Sequence, residues 1–573
     1  MTLLDWAVLV SALAFIVGYG AVKTRRQGDL SSFVLAGRRT PWPLVALSVM
    51  ATQASAITFL TTPGQAYADG MRFVQFYFGL PLAMVVLCVT AVPAFHGMKV
   101  FTAYEYLEGR FDLKTRALAA SLFLLQRGLA TGLTIFAPAL VLSVLLGWPI
   151  PVTTSLIGGL VVVYTATGGA RAVTVTQLHQ MTVILFGMGL AFVAVMRLLP
   201  DDLSFLDAVA AAGVTGRLNV VDLSFDWDNR YNLWSGLIGG TFLALSYFGT
   251  DQSQVGRYLT GSSVTQSRLG LLFNGMAKVP MQFGILLVGA MVWVVHLFVL
   301  PPVWFNPVEA SRLANGPRAP ELSRLEGEHR AAFEARRGAV TRYLEARRTG
   351  DPTAEAAARE GVREASRAVA DARTRTAALV REGVPGADGK DVNYVFLRFV
   401  LDTLPKGVVG LVLAAVFCAA MSSAAGELSA LATTSVVDVY RRFVRAGEGD
   451  RHYVTVLRVA TAFWGLVAIG FAQYANRLGT LVEAVNVLGS LFYGTVLGIF
   501  LVAFYLPRVG GTAVFRAALA GEALVIALFA FTKVAFLWLN VAGCLFVVAL
   551  AAAGQALQDR GGVRGPEPPP ARG

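Results

Sequence analysis

Ala419, Ser422 and Ser423 lie in the stretch AAMSSAAGELSALATTS, residues 419–435, at i, i+3 and i+4. On a helix these three share one face. Two hydroxyl oxygens and a backbone carbonyl presented together are hard ligands, suited to a small hard cation. The plainer reading is that serines in an apolar helix bond their own i−4 carbonyls and let helices approach closely. Four residues beyond Ser423, Glu427 sets a carboxyl group in the same apolar run. An ionisable group at membrane depth costs at least about 2.5 kcal/mol and marks a functional position by default. Three roles suit Glu427: lining a cation's exit, carrying a proton, or standing hydrated in a vestibule. Arg127 is the second expensive charge, about 13 residues into an apolar run and so near its middle. It reads either as a salt bridge inside a bundle or as a clamp for a carboxylate, which a guanidinium grips with a bidentate fork.

The elements that must position these groups follow from composition. The chain has 573 residues, 55% hydrophobic and 15% charged, with mean hydropathy +0.60. Soluble domains carry about 25% charged residues, and repeated apolar runs of about 20 residues are long enough to cross a bilayer. The expected fold class is therefore an all-α polytopic membrane protein. About thirteen spans are expected: 4–22, 43–69, 73–97, 115–146, 149–167, 172–199, 231–251, 268–300, 406–436, 453–475, 478–505, 512–534 and 537–556. The lipid bilayer is the first partner this implies. The net charge of +12 fits basic cytoplasmic loops better than nucleic acid, since no basic stripe interleaved with aromatics stands on a soluble module.

Basic residues fall in KTRRQGDLSSFVLAGRRT, GRYLTGSSVTQSR, VYRRFVRAGEGDR and the tail QDRGGVRGPEPPPARG. The positive-inside rule makes these cytoplasmic, with the N-terminus outside, the C-terminus inside and the protein in the cell (inner or plasma) membrane. Residues 1–22 read as a retained transmembrane helix, 512–556 as two C-terminal spans and 557–573 as a disordered tail. Residues 305–395 are rich in Arg, Glu and Ala and read as two charged helices broken at TGDP, an external insertion open to a partner. Cys88, Cys418 and Cys544 form neither a disulfide framework nor a metal site. His96, His179, His296, His329 and His452 show no metal-ligand spacing, and nothing points to an enzyme.

Two spans look interrupted: SVMATQASAITFLTTPGQAYADG, with Pro63 and Gly64, and GGTFLALSYFGTDQSQVGRYL, with Gly249 before Asp251 and Gln252. Broken helices in the two halves of a transporter point to a midplane site. At this point the chain resembles the sodium/solute symporter family, on the segments SAITFLTTPGQAYADG, TAYEYLEGRF, YTATGGARAVTVTQLHQ, GTDQSQVGRYL and AAMSSAAGELSAL. TAYEYLEGRF, IFAPALVL and DQSQVGRYL lean toward the branch with iodide, monocarboxylate and multivitamin symporters.

The resemblance implies a ten-helix inverted-repeat core of the LeuT type over 43–505. It implies a sodium site formed by carbonyls of Ala51, Ala54 and Ala419 and hydroxyls of Ser422 and Ser423. A second sodium site of some members needs an acid where this chain has Gln177, and hydroxyls where it has Ala425 and Gly426. One sodium per solute follows as the expectation. Substrate-facing candidates are Gln53, Thr58, Gln75, Arg127, Asp251 and Gln252. Thr58 and Tyr77 stand where sugar carriers place a glutamine and a glutamate, which argues against a hexose. The expected function is a sodium-coupled symporter of a small, carboxylate-bearing solute, with Na+ as coupling ion. The alternatives are proton coupling through Glu427 and a membrane sensor on the same fold.

Overall fold

The computed structural model describes residues 1–23, 30–387, 389–475, 478 and 480–560, and every regular element in them is helical. A chain this apolar can cross lipid only by satisfying its backbone within helices. The elements used below begin with α1 (Leu3–Lys23), α2 (Trp42–Gln53), α3 (Ala56–Asp69), α4 (Met71–Met98), α5 (Leu113–Leu146) and α6 (Ile150–Met196). Next come α7 (Ser235–Gly249), α8 (Gln252–Tyr258), α9 (Val264–Phe298), α10 (Ala319–Thr349), α11 (Pro352–Gly383) and α12 (Val392–Thr403). The last are α13 (Val408–Thr434), α14 (Asp450–Ala472), α15 (Leu481–Tyr505), α16 (Gly511–Phe531) and α17 (Phe536–Arg560).

Among the described residues, nine helices are long and apolar enough to cross a membrane, and the bent pair α2–α3 makes a tenth. The other three of the thirteen expected spans fall on α1, the first part of α6 and α7. The expected spans 149–167 and 172–199 belong to one helical run, α6. Yet Tyr164 Oη meets Thr176 Oγ1, 12 residues on, where a straight helix would hold them about 18 Å apart. The run therefore bends sharply between them.

Both expected interruptions are present. α2 and α3 meet at 59°, because Ala54 (φ −86, ψ 75) and Ser55 (φ −77, ψ 172) leave helical geometry. In the other half α7 stops at Gly249, and Asp251 (φ −80, ψ 118) starts α8, its carboxylate accepting from the Ser253 amide. α13 is buried almost throughout and packs on α6, α5, α1, α3 and α2. Such crossings need small residues. Gly289 of α9 lies against the backbone of Pro63 in α3, where a Cβ would overlap it. α1 is tied to the core by Asp5, which accepts from the amides of Gly407 (2.6 Å) and Gly410 (3.3 Å).

The charged insertion is a helical hairpin, α10 and α11, turning at Gly350 (φ 72) with Asp351 capping α11. It docks on the bundle through Arg348, which donates to Asp207 (2.9 Å), and Arg336, which donates to the His296 carbonyl (2.9 Å). α12 occupies residues to which no element was assigned from sequence, and it packs on α3. Of the expected cytoplasmic segments, 24–29 and 561–573 lie outside the described residues; 557–560 continue α17.

Candidate functional site

The break between α2 and α3 sits against the middle of α13. Ser422 Oγ and Ser423 Oγ both donate to the carbonyl of Ala51, at 3.1 and 3.2 Å. Ala51, Ala54, Ala419, Ser422 and Ser423 are all buried. Three neutral, hard oxygens thus converge at a kink whose backbone has left the helix. That donor chemistry fits a small monovalent cation, which needs no counter-charge from the ligands. Ala54 is not helical, so its carbonyl is released from the regular ladder.

Beside this pocket Gln177 joins α6 to both neighbours. Its Oε1 accepts from Ser48 (2.5 Å), and its Nε2 donates to Thr52 Oγ1 (3.0 Å) and the Ser422 carbonyl (3.5 Å). A neutral amide making two donations stands there, with no carboxylate. Ala425 brings no oxygen. Gly426 lies so close to Thr52 that an added Cβ would stand 3.1 Å from its Cγ2.

A cluster of full charges lies one turn further along α13. Arg127 is buried on α5 and donates from Nε to Asp251 Oδ2 (3.1 Å), from Nη1 to Glu427 Oε1 (3.2 Å) and from Nη2 to Tyr493 Oη (2.6 Å). Its Nη2 also pairs closely with Asp251. The other oxygen of Asp251 accepts from the Ser253 amide (2.9 Å) and hydroxyl (2.6 Å). Arg127 therefore offers its fork to Asp251 rather than to open space. Glu427 Oε1 also takes the Thr134 hydroxyl (3.4 Å), whereas its Oε2 is buried without a partner.

A cavity of about 90 Å³ opens beside the cluster, lined by Gln53, Thr58, Arg127 and Glu427 among others. Gln53 Oε1 is also buried with no partner. Asp251 adjoins this cavity only through Arg127 and Tyr493. Gln75 is turned elsewhere: it donates to the Tyr231 carbonyl (3.0 Å) and accepts from the Asp222 amide (3.0 Å). Gln252 binds the Ala103 amide (3.0 Å) and the Phe101 carbonyl (2.9 Å), tying α8 to the TAYEYLEGRF segment.

Several lining groups were not anticipated from sequence. Tyr247, Thr134, Asn486 and Tyr493 all face the cavity. Asn486 and Tyr493 are seven apart, with Ser490 between them, on one helix face of a mostly apolar run, and that spacing was the available signal. Lys278 of α9 is fully buried, and its Nζ has no hydrogen-bond partner. It stands 5.5 Å from the ring of Tyr77, another cavity-lining residue.

Interrupted helices meeting at a neutral oxygen pocket, inside an all-helical multi-pass bundle, define the broken-helix class of membrane protein. The model of the sodium:solute symporter family matches residues 33–316 and 374–521, and the chain belongs to that family. It is 28% identical over 275 residues to the sodium-coupled monocarboxylate transporter 2 of Bos taurus, covering 47% of this chain and 44% of that protein. It is 28% identical over 273 residues to the sodium/iodide cotransporter of Homo sapiens, covering 47% and 42%. These matches span less than half the length of either relative. A longer match, 25% identical over 520 residues, covers 90% of this chain and 70% of the sodium-coupled monocarboxylate transporter 1 of Mus musculus. Among solved structures, a Na+-coupled sialic acid symporter in a substrate-bound outward-open state superposes with TM-score 0.74, at 20% identity, over 97% of this chain and 98% of that one. The LeuT-type fold expected from the resemblance is the fold found. The interval 317–373, most of the hairpin, lies outside the family match.

Proposed function

We propose that this chain is a secondary symporter, coupling one sodium ion to a small carboxylate-bearing solute by alternating access. The observation that carries this reading is the convergence of Ser422 and Ser423 on the Ala51 carbonyl at the α2–α3 break. A cation there binds both halves of the junction, Ala51 and Ala54 on one side and Ala419, Ser422 and Ser423 on the other. It favours the arrangement in which α13 and the break are closed on each other, and its release follows when they part. The inward gradient and about 2.3 kcal/mol per charge per 100 mV supply the driving force.

The solute is assigned to the cavity bounded by Gln53, Thr58, Arg127 and Glu427. Two features favour an anionic head. Lys278 is a buried amine whose Nζ has no hydrogen-bond partner and stands over the cavity-lining Tyr77, and Arg127 keeps its Nη1 edge toward the cavity side, at Glu427. Gln75, Asp251 and Gln252 then act by holding the loop, the guanidinium and α8 in place. On the positive-inside rule the basic loops are assigned to the cytoplasm and the hairpin to the outside. The membership of sodium-coupled monocarboxylate transporters among the relatives supports the same solute class. Uptake into proteoliposomes, with sodium replaced by choline and solutes drawn from monocarboxylates, amino acids, sialic acid, vitamins and iodide, is the test. Sodium-dependent accumulation of a carboxylate is expected; no sodium-dependent uptake across the panel would overturn the reading.

One observation favours a second role for Glu427, as a proton carrier: its Oε2 is buried and unpartnered. Glu427→Gln distinguishes the two. If Glu427 only lines the cavity, the variant keeps the pH profile of uptake, with reduced rate; if it carries the proton, the profile flattens.

A further inference from the structure

A second cavity, of about 350 Å³, lies where the α10–α11 hairpin meets the ends of α3 and α9. Its size falls within the range of small-molecule sites, ~300–1,000 Å³. Three guanidinium groups line it: Arg217, Arg336 and Arg373. Only Arg373 is paired, to both oxygens of Asp391 at 2.9 and 3.0 Å. Arg336 is 1% exposed and its Nε has no partner; the Nε of Arg217 is likewise buried and unpartnered. Among the described residues neither has a carboxylate within ion-pair distance.

The contacts these two arginines do make are neutral. Arg217 donates to the Ala68 carbonyl (2.5 Å) and Arg336 to the His296 carbonyl (2.9 Å). Both lie over the ring of Trp293, with guanidinium carbons 4.0 and 5.0 Å from its centroid. Carbonyl and ring contacts orient a guanidinium but do not cancel its charge. Burial, with Arg217 and Arg373 nearby, pushes Arg336 down to about 10, which leaves it charged at neutral pH. His329, whose Nε2 is buried without a partner, is pushed down to about 4 by burial and by Arg373 and Arg336, and is therefore neutral there. Among the described residues the site thus holds two guanidinium groups without an ion-pair partner, although Asp69 lies near enough to Arg217 to favour its charge, and apolar walls from Tyr67, Trp293 and Trp304. With Asp391 spent on Arg373, the remaining guanidinium groups and their unused donors are the complement of an anion.

We propose that this cavity is a binding site for a small organic carboxylate, distinct from the core cavity. The head is held by Arg217 and Arg336 and the apolar body lies against Trp293 and Trp304. Arg336 and Arg373 belong to the interval outside the family match, so the site is a property of this hairpin. An occupant bridges the hairpin and the end of α3, at Tyr67 and Ala68. The inference does not rest on the symport reading.

The test is calorimetric titration of benzoate into the full chain in lipid nanodiscs, in sodium-free choline buffer. Saturable binding is expected, weakened about tenfold or more by Arg217→Gln and by Arg336→Gln and unchanged by Ser423→Ala. Ser366→Glu, which tethers a carboxylate in the same cavity, should abolish it. Thermal unfolding confirms that each variant is folded, and if Arg336→Gln is not, Arg217→Gln and Ser366→Glu decide. The proposal is overturned by an absence of binding to the wild type. It is equally overturned by binding indifferent to Arg217→Gln and Ser366→Glu, or by binding that needs sodium and vanishes in Ser423→Ala, which would put benzoate in the core.

Discussion

The pocket at Ala51, Ser422 and Ser423 and the cluster at Arg127, Asp251 and Glu427 lie one helical turn apart along α13, yet they are built on opposite principles. The first holds only dipoles: two hydroxyls sharing one carbonyl at 3.1 and 3.2 Å. The second holds full charges in direct contact, a guanidinium between two carboxylates. Neutral oxygens can gain and lose a monovalent cation without leaving a buried charge behind. A charged set cannot lose a member so cheaply, because each ion is desolvated and depends on its partners. On the proposed reading, exchange belongs to the first region and scaffolding, with one solute-facing edge, to the second.

The comparison breaks most visibly at Asp251. Asp251→Ala removes the carboxylate that takes the fork of Arg127 and caps α8. A loss of about 3–5 kcal/mol is expected from breaking the closer of the two buried ion pairs of Arg127, read as a collapse of the thermal unfolding midpoint; a midpoint within a few degrees of wild type would show the cluster is not the scaffold. Gln177→Glu should cost less, about 1–3 kcal/mol, since it turns two donations into acceptors facing Thr52 and the Ser422 carbonyl. It also places a carboxylate beside the neutral pocket. Unfolding temperatures measured with and without sodium should therefore diverge more in Gln177→Glu than in wild type; equal divergence would argue that Gln177 does not suppress a second cation.

The smallest effect belongs to an exposed pair that serves as contrast. Arg348 and Ser204 hold the Asp207 carboxyl below the usual carboxylate range. A depressed pKa stabilises above the unfolded value, about 3.9, and that contribution disappears as pH falls through the folded value. Arg348→Ala should change hydrogen exchange of the Phe205–Val214 helix slightly at pH 7 and not at all near pH 2. Exposed ion pairs contribute little, and a large effect at pH 7 would contradict that contrast.

Much of this was legible before any coordinates. The break before α8 announces itself through the polar run Gly249–Gln254; the α2–α3 break falls at Ala54 and Ser55, in the small and polar stretch ATQASA, whereas Pro63 and Gly64 lie inside α3. The shared face of Ala419, Ser422 and Ser423 follows from helical spacing alone. What sequence did not reveal is pairing at a distance. Arg127 reads equally well as clamp or salt bridge until Asp251, 124 residues away, is seen on its fork. Gln75 and Gln252 look solute-facing by type and position, yet each is spent on backbone groups of neighbouring segments. Lys278 is not singled out by sequence, since a lysine in a long apolar helix is informative only once its Nζ is seen to lack a hydrogen-bond partner among the described residues. At α6 the two expected spans, 149–167 and 172–199, run on as one helix, with a sharp bend between Tyr164 and Thr176.

The central claim, a neutral cation pocket at the α2–α3 break, is tested most directly by radiolabelled sodium binding to purified wild type and to Ser422→Ala and Ser423→Ala. Wild type should bind one sodium per chain, and each variant should bind it about tenfold or more weakly. Each loses one hydrogen bond, about 0.5–1.5 kcal/mol, so both should remain folded. Sodium affinity unchanged in the folded Ser422→Ala/Ser423→Ala double variant would contradict it.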